Sequence, residues 1–219
     1  SGLALDKDTG KVVWQNGNQD AGYATPLPYT QNGTQCLAIF NKDSLVGVKL
    51  NDGAELWKFP WRTGYDVNAA DPVICSDGIF ISSGYGKGCA LVRIDGEKPV
   101  ELWNNKDMRN HFSSCVLVRH HLYGFDESQL RCLDTKDGKP TWSQSRLGKG
   151  SLTAADDKLI ILSEKGTLVI AKASPEKFDV LAEAQILEGR CWTVPVLSDG
   201  LLYARNAAGD VVCVDLKGQ

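Results

Sequence analysis

Apolar and polar positions alternate along most of this chain in short runs, the mark of strands that pack one face. The clearest run is LALDKDTGKVVW, residues 3–14, in which a strand leads to a turn closing on Gly10 and a second strand ends on Trp14. The same text returns as VGVKLNDGAELW (46–57), VRIDGEKPVELW (92–103) and RCLDTKDGKPTW (131–142). Each copy sets an aliphatic residue (Leu5, Val48, Ile94, Leu133) nine positions before its tryptophan. Two worn copies follow: LVIAKASPEKF from Leu168, without the tryptophan, and VVCVDLKG from Val211. Aligned on Asp6, the series runs Asp6, Lys49, Asp95, Asp134, Lys172, Asp215, in steps of 43, 46, 39, 38 and 43 residues. A β-type repeat of about 40 residues gives one four-stranded blade per copy, so the expected fold is an all-β propeller of four-stranded antiparallel blades.

The unit has a physical logic. An Asp at the end of its third strand accepts hydrogen bonds from the turn that follows, and Gly10, Gly53 or Gly138 takes a positive φ there without penalty. The tryptophans Trp14, Trp57, Trp103 and Trp142 are expected at equivalent, mostly buried positions, filling the wedge between blades. Residues 1–14 supply the last two strands of a blade. Complete blades are predicted from strands at 25–30, 35–40, 45–50 and 54–59; at 72–75, 79–82, 89–94 and 100–103; at 114–118, 122–125, 131–134 and 140–142; and at 151–155, 158–163, 167–172 and 180–187. A last set, 193–197, 201–205 and 211–216, carries three strands.

The pattern A-x-D-x-x-T-G-x-x-x-W, intact as Ala4, Asp6, Thr9, Gly10 and Trp14, resembles the tryptophan-docking motif of the pyrroloquinoline-quinone-like (PQQ-like) β-propeller repeat. That family includes quinoprotein alcohol dehydrogenases and the BamB-type lipoproteins of outer-membrane assembly. The resemblance covers essentially the whole of residues 1–219, read as a single domain, and it speaks for fold far more than for function. The family more often closes with eight blades, so the chain is expected to be an arc of about five from a larger ring, its C-terminal part. Terminal sheets left open would expose apolar surface and recruit other chains. WD40 repeats share the period, but no Gly-His or Trp-Asp dipeptide occurs.

Composition narrows the partners. Net charge is −3, with no Lys/Arg run, which argues against nucleic acid or an anionic membrane surface as a partner. No apolar stretch approaches the roughly 18 residues of a membrane-spanning helix. Seven cysteines (Cys36, Cys75, Cys89, Cys115, Cys132, Cys191, Cys213) form neither C-x-x-C nor an adjacent pair, and all but Cys191 fall in predicted strands. They read as small buried apolar residues, which leans toward a reducing compartment; the family leans toward an extracytoplasmic one, periplasmic or envelope-associated.

In a propeller, the connections between blades share a face with the loops between second and third strands. Here those segments (61–71, 104–112, 145–150, 187–193 and 84–88, 126–128, 164–166, 206–210) are longer and richer in Tyr, His, Arg, Asn and Lys than the opposite turns. Functional residues concentrate on loops held by a rigid scaffold. The residues expected nearest the axis, and hence the candidates for binding a protein or small ligand, are Asp66, Asn68, Tyr85, Lys87, Asn110, His111, Lys149, Arg190, Trp192 and Arg205. Asp66-x-Asn68-x-x-Asp71 offers three oxygens but lacks the Gly and distant Glu of a calcium loop. His111 has no nucleophile beside it in sequence, His120-His121 read as a solvated turn, and GYGKG (84–88) is followed by no helix N-terminus that could hold a phosphate. The favoured function is a non-catalytic binding scaffold without cofactor. The alternative is a partial or degenerate quinoprotein oxidoreductase, for which PQQ and calcium would be required. Against it, the sequence has no Cys-Cys and only Trp192 to stack on a quinone.

Overall fold

The computed structural model describes residues 2–217; the Gly218 that ends the last repeat copy lies outside them. They form two compact units that divide between Lys106 and Asp107.

The first unit opens with a two-stranded hairpin, β1 (Gly2–Leu5) and β2 (Val12–Asn16). Two four-stranded antiparallel meanders follow. One is β3 (Leu27–Gln31), β4 (Thr34–Phe40), β5 (Ser44–Lys49) and β6 (Glu55–Pro60); the other is β7 (Val73–Ile74), β8 (Ile79–Ser83), β9 (Gly88–Asp95) and β10 (Lys98–Asn105). The second unit holds β11 (Val116–Val118), β12 (His121–Asp126), β13 (Gln129–Asp134) and β14 (Pro140–Gln144), then β15 (Ser151–Ala155), β16 (Lys158–Leu162), β17 (Thr167–Lys172) and β18 (Asp179–Gln185). It ends with the three-stranded β19 (Val196–Ser198), β20 (Leu201–Arg205) and β21 (Val211–Asp215). The all-β blade architecture expected from the repeat is therefore present.

The first strands of several sheets are shorter than the apolar runs suggested. Only Val73–Ile74, Val116–Val118 and Val196–Ser198 pair; Pro72 and Pro195 remove ladder donors just before the first and the last of these. Cys75, after the first, and Cys115, before the second, lie outside strands, unlike the pattern's expectation. Five of the seven free cysteines are buried; Cys75 is half-buried and Cys213 exposed.

Cores lie where sheets face each other. In the first unit, Phe40, Leu45 and Trp57 pack with Ile79, Ile81 and Val92. In the second, Tyr123, Phe125, Leu130 and Cys132 pack with Leu152, Leu159, Ile161 and Val169. At roughly 25 cal/mol per Å2 of apolar surface, such seams are the main stabilisation available to stacked sheets.

Each third-to-fourth-strand hairpin carries the same irregularity. Ala4 pairs with Trp14 but Leu5 with Val12; Gly47 pairs with Trp57 but Val48 with Glu55; Leu91 pairs with Trp103 but Val92 with Glu101; Cys132 pairs with Trp142 but Leu133 with Pro140. A bulge at that point sharpens the twist and re-aims the aromatic side chain. In the worn copy the bulge persists, with Ala182 at the tryptophan's place opposite Ile170.

The tryptophans occupy one register but not one environment. The Trp14 N–H donates to the Leu50 carbonyl of the following sheet (2.9 Å), and the Trp142 N–H to the Ser174 carbonyl (2.8 Å). Trp57 instead donates within its own sheet, to the Tyr29 hydroxyl and Gln31 Oε1, both at 3.0 Å. Trp14 and Trp57 are buried, while Trp103 and Trp142 are half-buried. The turns behave as the Asp–Gly spacing required. Asp6 Oδ1 accepts the Thr9 N–H (2.8 Å) and hydroxyl (2.6 Å), and the Gly10 N–H closes onto the Asp6 carbonyl at φ +69°.

Candidate functional site: the loop surfaces

Within each unit the loops at one end of the sheets are laced together. In the first unit the connection after β6 is held from inside by Asn68, whose side chain is fully buried. Its amide donates to the carbonyls of Asn41 (2.8 Å), Lys42 (3.1 Å) and Trp61 (3.3 Å), and its Oδ1 accepts the Ser83 hydroxyl (2.7 Å). Ser83 in turn accepts the Trp61 N–H at 3.0 Å. Asn68 is thus a clasp beneath the surface and offers nothing to a partner. Asp66, exposed at φ +57°, pairs with Lys42 (3.4 Å), and Asp71 accepts the Thr25 N–H (2.6 Å). The three oxygens of the D-x-N-x-x-D segment are therefore spread over three separate tasks rather than converging.

On top of this clasp sits an aromatic group. Tyr85 is 45% exposed at φ +55° and packs against Tyr65, itself 72% exposed, with ring centroids 4.8 Å apart. Lys87 Nζ lies 4.2 Å from the Trp61 ring centroid, a cation–π contact that holds the GYGKG loop against the connection.

The second unit builds a larger surface on the same plan. Asn110 is buried, like Asn68, donating to the Phe125 carbonyl (3.1 Å) and accepting from the Cys115 thiol (3.2 Å). Beside it Asp126, with no side-chain exposure, receives Arg109 Nε (2.6 Å) and Nη2 (2.9 Å), the Arg109 N–H (3.0 Å) and Arg131 Nη2 (3.0 Å). Two guanidiniums on one carboxylate pin the 107–112 segment to the ends of β12 and β13.

Above these pins exposed residues (Arg190, Trp192) and half-buried ones (Phe112, His111, Lys149, Glu127) connect in a row. Arg190 lies 4.7 Å over the Trp192 ring, and Trp192 stacks on Phe112 at 4.7 Å with 29° between planes. Phe112 meets His111 edge-on at 5.8 Å, and His111 Nδ1 is 3.5 Å from Lys149 Nζ. Lys149 pairs with Glu127 at 3.3 Å. Glu164 fixes the row from below: Oε1 accepts the Trp192 indole N–H (3.1 Å), Oε2 accepts the Lys149 N–H (3.1 Å), and its carbonyl accepts the Cys191 N–H (2.8 Å). Burial and the Lys149 charge push His111 below its ordinary value, with Glu127 opposing. Arg205, exposed, stands at the edge with its Nε donating to Thr193 Oγ1 (3.2 Å).

The ten residues predicted for binding thus divide. Asn68 and Asn110 are internal clasps. Tyr85, Lys87 and Asp66 belong to the first unit's surface, and His111, Lys149, Arg190, Trp192 and Arg205 to the second's. Tyr65, Phe112, Glu127, Glu164 and the Arg109–Asp126–Arg131 cluster were not singled out by sequence. The available signal was their place in the long loops, since a Phe beside a His in a connecting segment has no core to fill.

A family model described as "Outer membrane protein assembly factor BamB" matches residues 1–144 and 114–219. The chain belongs to that family. The crystal structure of BamB from Moraxella catarrhalis superposes with a TM-score of 0.72 at 15% identity, over 96% of this chain and 65% of that one. The computationally designed Ika8 protein superposes at 0.67 and 11% identity, over 96% and 69%. At these identities the likeness is one of fold. The chain therefore spans about two thirds of the length of the BamB chain that it matches. No curated protein matches it in sequence. Among the described residues no helix is long and apolar enough to cross a membrane.

Proposed function

We propose that this BamB-family chain is a non-catalytic binding module, extracytoplasmic like the lipoproteins its repeat resembles, that captures a protein partner through the loop surface of residues 107–219. The observation that carries the reading is the Arg190–Trp192–Phe112 stack. It pairs an exposed indole and guanidinium with a half-buried Phe112, and the indole is already oriented by Glu164, so little rotamer freedom remains to be lost on binding. Trp and Arg anchors of this kind dominate binding energy at protein interfaces. The side chains around it are engaged in holding loops, and His111 sits beside a lysine rather than a nucleophile, which favours recognition over catalysis.

The test is a photo-cross-linker placed at Arg205, at the exposed edge of this surface, and, separately, at Asp199 in the turn at the other end of the last sheet. A discrete protein adduct at 205, absent at 199 and lost when Trp192→Ala is added, is the expected outcome. Equal adducts at both positions, or none at 205 in extracts of the native compartment, would refute the assignment.

A further inference from the structure

A second site lies in the same unit, at the end of the sheets away from that surface. Across the repeat, four two-residue hairpin turns place their first residue in the left-handed region: Asn32 (φ +49°), Arg119 (+57°), Asp156 (+51°) and Asp199 (+49°). Asn and Asp accept this backbone because their short side chains bond locally; an arginine has no such compensation. Turn formation therefore does not account for Arg119. The position aligned with Asp6 also varies, since Asp95, Asp134 and Asp215 keep the carboxylate while Lys172, like Lys49, carries an ammonium. The two exchanges meet. Arg119, His120, His121 and Lys172 line one cavity of about 290 Å3, with Glu176 and, at its floor, the buried Tyr123.

The charge balance of this cavity is cationic. Glu176 is held by the Ser174 hydroxyl, which with the backbone and the nearby Lys172 and His121 keeps its carboxyl below the usual range. Of the other acids nearby, Asp157 pairs with Lys158 at 3.3 Å and also feels the Lys172 charge, and Asp134, across from His121 in the ladder, accepts the Lys136 N–H at 2.9 Å. Among the described residues Arg119, His120, His121 and Lys172 enter no ion pair. Two fixed cations, Arg119 and Lys172, against the one carboxylate of the lining, Glu176, with the arginine held at a backbone cost, suit the cavity to bind an anion.

We infer that this cavity binds a dianionic oxyanion, a phosphate or sulfate group, through Arg119 and Lys172, with His120 and His121 in its lining as N–H donors. The experiment is calorimetric titration of the 219-residue chain with sulfate, a dianion at neutral pH, at constant pH and constant chloride. Saturable one-site binding is expected. Arg119→Asn restores the residue of the Asn32 turn, so it should melt no lower than the parent yet bind sulfate about tenfold more weakly. Parallel titrations with inorganic phosphate and glycerol 3-phosphate separate a free anion from a phosphate ester, and tighter binding of either supports the site. Absence of saturable sulfate binding, or unchanged binding by Arg119→Asn, would each overturn it.

Discussion

Asp126 is the residue on which the second unit's loop surface most depends. A carboxylate with no exposure, holding two guanidiniums and a backbone N–H, leaves its partners uncompensated when removed. Asp126→Ala should cost about 3–5 kcal/mol in denaturant unfolding, whereas a loss below about 1 kcal/mol would mean that the arginines find other partners. His111 gives a second residue-scale prediction, in pH. Its folded value is lowered from the ordinary 6.5, mainly by burial and then by Lys149, so the unfolded chain binds the proton more readily. The associated stability is complete above about pH 6.5 and is lost as pH falls toward and through the folded value. Melting temperatures of the wild type and His111→Asn should accordingly diverge as pH is lowered from about 8 to about 5, with the wild type losing more. Parallel curves would remove His111 from the pH response. Neither the Asp126 cluster nor the Asn68 and Asn110 clasps could be recognised in the sequence. A polar residue in a loop reads as surface until the fold shows whose carbonyls lie around it.

At the scale of the element, the repeated bulge and glycine turn make a matched experiment possible. Gly10 and Gly53 occupy the same turn position at φ +69° and +67°, but a Cβ at Gly10 meets open space while one at Gly53 would run into the Trp14 ring. Gly10→Ala should cost about 1 kcal/mol for the backbone alone. Gly53→Ala should cost a further 1–3 kcal/mol, roughly, for overpacking against the tryptophan. Equal costs in chemical denaturation would show that Trp14 gives way, so that its seat on the next turn is loose. This element was largely legible in advance, because the nine-residue spacing from aliphatic to tryptophan fixes strand, turn and return strand. The bulge was not, since one extra residue in a hairpin leaves the alternation intact on either side. The short β7, β11 and β19 were overestimated for a related reason: apolar runs mark burial, and burial here extends past the last ladder hydrogen bond.

For the whole molecule, the period of about 40 residues declared the blade architecture, and membership of the BamB family agrees with it. What the repeat could not convey is where binding energy lies, because a docking tryptophan and a surface tryptophan are the same letter. Trp192 departs from the repeat's register, and only its contacts with Phe112, Glu164 and Arg190 mark it as an anchor. The two terminal sheets carry exposed apolar residues, Leu3, Leu5, Val12 and Val13 on one and Val196, Tyr203 and Val211 on the other. The 219-residue chain in isolation is therefore expected to self-associate in light scattering, and a monodisperse monomer at high concentration would contradict that expectation. The central claim, that the Arg190–Trp192–Phe112 row is the capture surface, is tested most directly with the cross-linked partner in hand. Its affinity for Trp192→Ala should be measured beside the variant's melting temperature. The account predicts an affinity at least about tenfold weaker with a melting temperature within about 4 °C of the parent. Unchanged affinity, or a loss that appears only together with unfolding, would contradict it.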